Sequence, residues 1–349
     1  MKPYRFRLFA ICAGTALFLV FGSCNRRIQE SGSLTIVSYG GGAYQQSHKD
    51  AFFKPFEDTT GIQIQPVVWN AEYGKLKEMV GSNNVPWDVV EVTDAQYKRG
   101  KSEDLYQRLT SKPTDGEFLP GTVEDLGVAN VYWGTVMAFL PETFKGEKPE
   151  TWKDFWDVKR FPGPRALNDD PRGNLEFALL ADGVPKGNLY PLDVDRAFRK
   201  LDEIKSAVRV WWNEGTQPVQ MLQSKSVALS SAWNGRIFAV AREGTKIDYS
   251  WNGAALELDW WVIPRGSKNP NTATRFIIFA SLPERMARQA SMIGYGPVNK
   301  TSLNFVSADV RAQMPTSPEN WQRSFVVNSD WWSQHEVEMM KKWVAWKGK

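Results

Sequence analysis

Cysteine and histidine are nearly missing from this chain of 349 residues. Its two cysteines, Cys12 and Cys24, stand within the first 24 positions, and its two histidines are His48 and His335. The rest of the sequence therefore supports no disulfide framework, no CxxC redox pair, no thiol nucleophile and no Cys-based zinc site. A general base or metal site built from several histidines is excluded in the same way, and no metal or cofactor is expected. Nucleotide and nucleophile signatures are missing too. After Gly40 and Gly42 the third glycine of GxGxxG is replaced by Gln45, and neither GxxxxGK[ST] nor GxSxG occurs. His335-Glu336 is followed by Val-Glu-Met, without the second His of HExxH. Each histidine falls in a predicted helical surface region and is read as solvated.

An excess of charge is also lacking once its location is considered. The 43 Lys+Arg face 39 Asp+Glu, a net charge of +4 that on a folded domain would hint at an anionic partner. Lys2, Arg5 and Arg7, however, precede an uncharged run, Leu8–Phe21, that ends in Gly22-Ser23-Cys24. This order reads as a secretory signal over residues 1–23, because the apolar run is shorter than the ~20 residues of a permanent spanning helix. The small pair before Cys24 resembles the lipobox of bacterial lipoproteins. That likeness implies lipid on Cys24 and a periplasmic or extracytoplasmic location at a bacterial membrane, with membrane contact through the anchor only. Phe21 replaces the usual Leu, so cleavage by ordinary signal peptidase stays open. Without residues 1–23 the chain has 40 basic and 39 acidic residues, and nucleic acid is not an expected partner.

What the sequence has in quantity is tryptophan, 16 residues, within a composition that is 42% hydrophobic and 23% charged. At roughly 150 residues per domain the length suits two cores. After a linker over 24–33, β-branched runs alternate with amphipathic stretches, the pattern of an α/β protein. Strands are predicted at Leu34–Ser38, Ile62–Val68, Trp87–Thr93, Val208–Trp212, Val227–Ser230 and Leu256–Ile263. Helices are predicted after Gly42 through Phe56, around Asp193–Ser206 and Trp233–Arg242, and over Asn271–Ser291 with a break at Leu282-Pro283. The chain is expected to cross between lobes near Val131–Pro141 and again near Trp261–Pro264. Lobe 1 would then comprise 34–137 plus 262–305, and lobe 2 would comprise 138–261 plus 306–349. A paired hinge of this kind suits closure around a ligand.

Several of the tryptophans stand beside acidic residues. An indole face attracts cations and a carboxylate pairs with an ammonium, so such a combination binds an amine without chemistry. The segments Thr60-Gly-Ile-Gln-Ile, Trp87-Asp-Val-Val, Tyr132-Trp133-Gly134-Thr135, Thr151-Trp152-Lys-Asp-Phe-Trp156, Asn168-Asp169-Asp170-Pro-Arg172, Trp233-Asn234-Gly235, Leu258-Asp259-Trp260 and Ile293-Gly294-Tyr295-Gly296-Pro297 carry a resemblance in their order and spacing. Together they resemble the type II solute-binding proteins of ABC importers, and among these the polyamine-binding branch.

The resemblance implies a two-lobe α/β periplasmic-binding fold with two crossing strands as hinge, a monomer, and delivery of a small solute to a permease with its ATPase subunits. It implies that Trp233 stacks on the ligand's aliphatic chain and that Asp259 and Asp170 pair with ammonium groups. Against these roles stand core packing for Trp233 and a helix N-cap for Asp170. Gly173 stands where the polyamine binders carry a further acid, and the aromatic residues of their first loops give way to Tyr39-Gly-Gly-Gly42 and Asp94. Arg236, completing Trp233-Asn-Gly-Arg, would repel a diamine but offers a fork for a carboxylate. Arg236 with Asp259 is similar to the pairing in binders of γ-aminobutyrate-like ω-amino acids, where Arg grips the carboxylate and Asp the ammonium. Tyr39, Asp94, Trp212 and Glu257 are expected to add contacts. Glu257 shares a strand face with Asp259 and is either a second ammonium acceptor or the partner of Arg236. Alternatives are a secreted carboxylate-dependent glycoside hydrolase and a sugar-binding importer component.

Overall fold

The computed structural model describes Met1 and residues 32–144 and 146–348; Cys24 and residues 2–23 of the segment read as a signal lie outside them. Ten strands form one mixed sheet: β1 Ser33–Tyr39, β2 Gln63–Trp69, β3 Val89–Thr93, β4 Gly127–Phe139, β5 Arg165–Asn168, β6 Val208–Trp212, β7 Leu229–Trp233, β8 Asp248–Val262, β9 Gly296–Pro297 and β10 Phe325–Val326. The main order is β2-β1-β3-β8-β4-β7-β5-β6, with β9 beside β4 and β10 beside β8. Each of the six predicted strands appears in this sheet, and the predicted helix break at Pro283 separates helices Pro270–Ala280 and Pro283–Ile293.

Parallel pairing occupies both flanks, β2-β1-β3 and β7-β5-β6. The centre is antiparallel, where the long β4 and β8 pair from Gly127↔Val262 to Phe139↔Asp248. Their register shifts between Ala129 and Val131 and between Thr135 and Met137. These two strands run through both halves of the sheet as the crossing pair of a two-lobe periplasmic-binding fold. The β1 side packs Leu34, Ile36, Phe52, Phe56, Trp261 and Phe276 into one core. The β5 side buries Phe155, Leu167, Phe177, Leu201, Trp332 and Trp343 in another.

The tryptophan count thus serves packing first. Trp212, Trp260, Trp261, Trp332 and Trp343 are among the largest fully buried side chains. Trp332 and Trp343 come from the C-terminal helix Ser329–Lys347, which also packs on the helix Asp94–Ser102. Among the described residues, no helix is long and apolar enough to cross a membrane.

Candidate functional site

β1 ends at Tyr39 and opens into Gly40-Gly41-Gly42. Gly41 and Gly42 have φ of 94° and 53°, and a Cβ on Gly40 would stand 2.2 Å from Val68 Cγ1. Only glycine combines that left-handed path with so close an approach. The loop forms one wall of a cavity of about 540 Å³ whose lining includes Tyr39, Tyr44, Trp133, Trp233, Arg236 and Asp259.

The Trp233-Asn-Gly-Arg motif has a local physical basis. Trp233 closes β7, and Asn234 begins the helix Asn234–Arg242. Asn234 accepts from Gly134 N at 2.9 Å and donates to Gly294 O at 3.0 Å, so one amide pins three segments. A Cβ on Gly235 would meet Tyr295 at 2.4 Å, and one on Gly215 would meet the Trp233 ring at 2.5 Å. Trp233 is held edge-to-face between Trp133 and Trp212, with ring centroids at 5.9 and 5.3 Å.

Arg236, 4% exposed, donates from Nη2 to Gly40 O at 3.1 Å and lies over the Tyr44 ring at 4.8 Å. Its Nε and Nη1 have no hydrogen-bond partner. Burial pulls its pKa down, but an arginine keeps its charge across the physiological range.

Asp259 sits on β8 opposite Thr93, and Glu91 lies diagonally across the same face of β3. Asp259 is 3% exposed, and its Oδ1 has no partner. Burial first, and then the Glu91 carboxylate, push its pKa well above the usual range. Glu91 Oε1 accepts from Tyr44 Oη at 2.5 Å and Asn130 Nδ2 at 3.0 Å. Its burial outweighs these bonds and raises its pKa to about 7. Behind it His48 is fully buried against Tyr44, Phe52, Phe53 and Trp261. Burial holds His48 down to about 3 and neutral, which corrects the solvated histidine expected from sequence. His335 is half-buried and stacks on Trp331 at 4.2 Å.

A second wall centres on Arg172. Its guanidinium lies 3.2 Å from Glu257, 3.8 Å from Glu336 and 4.0 Å from Asp170, and it donates to Thr93 Oγ1 at 3.3 Å. Burial opposes its charge, but these three acids outweigh that effect and raise its pKa. Glu257 is raised to about 7, mainly by burial, with Arg172 acting against the rise.

Of the residues singled out in the sequence, Tyr39, Asp170, Trp233, Arg236, Glu257 and Asp259 line this single cavity. Asp170 also caps the helix Pro171–Ala181 by accepting from Arg172 N at 2.8 Å, the N-cap that the sequence offered as its other reading. Glu257 pairs with Arg172 and not with Arg236. Two expectations need correction. Asp94 stands outside the lining because Trp260 Nε1 (2.7 Å) and Ser329 Oγ occupy its two oxygens. Trp212 is fully buried, donates to Ser231 Oγ at 3.1 Å, and supports Trp233 from behind.

Sequence reading missed Glu91, Tyr44, Glu336 and Met340, and it gave Arg172 no role. Arg172 alone carried a signal, since it ends the Asp-Asp-Pro-Arg segment. Glu336 and Met340 arrive from a helix over 150 residues away along the chain.

The fold has known counterparts. The family model for bacterial extracellular solute-binding proteins matches residues 51–316. A γ-aminobutyric acid-binding protein of Pseudomonas aeruginosa is 39% identical over 324 residues, covering 91% of each chain. A solved ABC transporter substrate-binding protein from Bradyrhizobium japonicum is 35% identical, with a TM-score of 0.82, over 90% of this chain and 99% of that one. A solved GABA receptor is 33% identical, with a TM-score of 0.80, over 91% and 98%.

Proposed function

From the premise that this chain belongs to the bacterial extracellular solute-binding protein family, we propose that its cleft captures a zwitterionic ω-amino acid of the γ-aminobutyrate kind. The protein is the solute-binding component of an ABC importer, not an enzyme, and works outside the cytoplasm.

The observation that carries the ligand reading is a pair of unsatisfied ionisable groups in one cavity. Arg236 has two buried N–H groups without partners, and Asp259 has a buried oxygen without one. The guanidinium of Arg236 is a buried charge left unpaired, which costs several kcal/mol, while the raised pKa of Asp259 keeps a proton on its carboxyl until a cation arrives. A carboxylate satisfies Arg236, and an ammonium satisfies Asp259. A diamine satisfies the second while setting a cation against the first, and a sugar supplies a counter-ion to neither. The relative named for γ-aminobutyrate supports the same choice.

Isothermal titration against γ-aminobutyrate, putrescine, spermidine and glucose tests the reading. Saturable binding of γ-aminobutyrate is expected. Tight putrescine binding with none of γ-aminobutyrate would overturn it. The proposal includes a monomeric carrier with lobes 34–137 plus 262–305 and 138–261 plus 306–349, exported by residues 1–23 and bearing lipid on Cys24. Metabolic palmitate labelling that disappears in Cys24→Ala would support the anchor.

A further inference from the structure

Glu91 is fully buried on β3 and stands outside the cavity lining, where a ligand held in the cleft does not reach it. A buried carboxylate that serves packing alone ordinarily has both oxygens satisfied. Here Oε1 accepts from the Tyr44 hydroxyl and the Asn130 amide, and Oε2 has no partner. An acid kept in the interior with half of its hydrogen-bonding capacity unused is costly. Its neighbours show what it does there.

Two routes lead from Glu91 to the cleft. The first runs through Tyr44, on the helix Gly42–His48. The Tyr44 hydroxyl donates to Glu91 Oε1 at 2.5 Å, and the Arg236 guanidinium lies 4.8 Å from the centre of the same ring. A phenol tied to a carboxylate makes a charge-assisted bond, which fixes the ring and enriches the face that the cation meets. The second route is electrostatic. On β8 Asp259 pairs with Thr93 and Trp261 pairs with Glu91, so the two acids are diagonal neighbours across adjacent strands. A negative charge on Glu91 therefore opposes ionisation of Asp259.

Other titratable groups face this pair from every side. His48 approaches from the helix of Tyr44, with Nε2 3.6 Å from Glu91 Oε1, and burial holds it neutral. Tyr39 at the end of β1 and Tyr295 just before β9 both feel the two acids. Arg236 favours the charged form of Glu91 from the helix Asn234–Arg242. Glu257 adds to the opposition at Asp259, and Arg172 relieves it.

Resting on the assignment of Arg236 and Asp259 to a zwitterion, we propose that Glu91 is a positioning residue for both ends of the ligand: it holds the Tyr44 ring beneath Arg236 and sets a like charge behind Asp259. One buried group thus strengthens the anion end and withholds the carboxylate at the other end until a cation arrives.

Two variants separate these actions, each titrated with γ-aminobutyrate and putrescine between about pH 5 and pH 9. Glu91→Gln keeps an acceptor for Tyr44 and removes the charge. The rise of γ-aminobutyrate affinity with pH should then move to lower pH by about one unit. Loss of a merely structural group would instead lower affinity by the same factor at every pH. Tyr44→Phe keeps the ring and the charge but cuts the tie. It should weaken γ-aminobutyrate about threefold or more and putrescine less. That loss should shrink when Glu91→Gln is also present, because a neutral amide holds the phenol less firmly than a carboxylate. An unshifted pH profile in Glu91→Gln, additive losses in the double variant, or equal loss of both ligands in Tyr44→Phe would overturn the role of Glu91 and leave the ω-amino acid reading standing. Failure of the wild-type protein to bind γ-aminobutyrate would remove that reading and this proposal with it.

Discussion

Arg236 and Gly40 are joined by one hydrogen bond, 3.1 Å from Nη2 to the backbone carbonyl, and the guanidinium has no acidic partner among the described residues. The loop carbonyl orients the charge without neutralising it. Tyr44 supports the guanidinium from below, and Gly215 lets the chain pass over Trp233 beside it. The site therefore holds a preformed cation that awaits an anion.

Arg236→Ala should accordingly lower γ-aminobutyrate affinity by about 2–4 kcal/mol, on the order of 30- to 1000-fold. Putrescine, which has no carboxylate, should lose nothing or gain. Titration of both ligands checks this. An equal loss for both would mean that Arg236 shapes the cleft and does not grip the ligand.

Asp259 gives a pH-dependent prediction. Burial and the Glu91 charge hold its pKa well above the usual carboxylate range, so the empty cleft retains a proton there that an incoming ammonium displaces. Binding releases that proton, and γ-aminobutyrate affinity rises with pH until the empty-state pKa is passed. The measured binding enthalpy should then change with the ionisation enthalpy of the buffer. Asp259→Asn should remove this dependence and most of the affinity. Binding that takes up protons as pH falls would contradict the assignment.

The unliganded fold should also respond to pH. Glu91 and Glu257 are raised from 4.5 to about 7, and Asp259 is raised as well. Between those values the native state keeps protons that the unfolded chain has lost, so stability is greatest near the lower bound and declines as pH climbs through 7. His48 is depressed from 6.5 to about 3 and acts in the opposite sense, adding stability as pH rises between those limits. Three carboxylates outweigh one imidazole. Glu91→Gln, which keeps acceptors for Tyr44 and Asn130, should flatten the decline between about pH 5 and pH 8, by at most about 3 kcal/mol for its share. Thermal melts at the two pH values test this, and a wild-type protein equally stable at both would refute it.

Asp94 separates support from recognition. Asp94→Ala should cost about 1–3 kcal/mol of stability, because the indole N–H of Trp260 and the hydroxyl of Ser329 lose their acceptor. γ-Aminobutyrate affinity should change far less than in Arg236→Ala. Paired melting and titration of this variant distinguish the two effects.

The strands were legible from their β-branched runs, largely buried in Leu34–Ser38 and still readable in Val208–Trp212, which lies half-buried at the sheet edge. The cleft was legible where one motif carried both position and chemistry. Trp233-Asn-Gly-Arg needs its Asn for two backbone hydrogen bonds and its Gly for Tyr295, so its sequence form follows from its place. Asp94 and Trp212 misled because an acid after a strand and an aromatic at a strand end look the same whether they face a cavity or a core. Only the partners of Asp94, Trp260 and Ser329, decide the matter, and they lie 166 and 235 residues away. Glu91 was hidden inside the apolar run Val89–Thr93, and its function depends on what lies across β8. His48 appeared exposed because local helical patterning does not reveal that Trp261 covers it.

The C-terminal helix is attached in two different ways. Toward the β5 side it is seated by buried indoles, Trp332 and Trp343. Toward the helix Asp94–Ser102 it is tied by Lys98 to Asp330 at 2.8 Å and by Arg99 to Glu336 at 3.6 Å, and Asp330 is 75% exposed. Apolar burial is largely indifferent to ordinary salt, whereas exposed ion pairs are screened within a Debye length of about 8 Å at physiological ionic strength. Brine therefore weakens the exposed Lys98–Asp330 tie, while the indole seat and the more enclosed Arg99–Glu336 pair hold the helix in place.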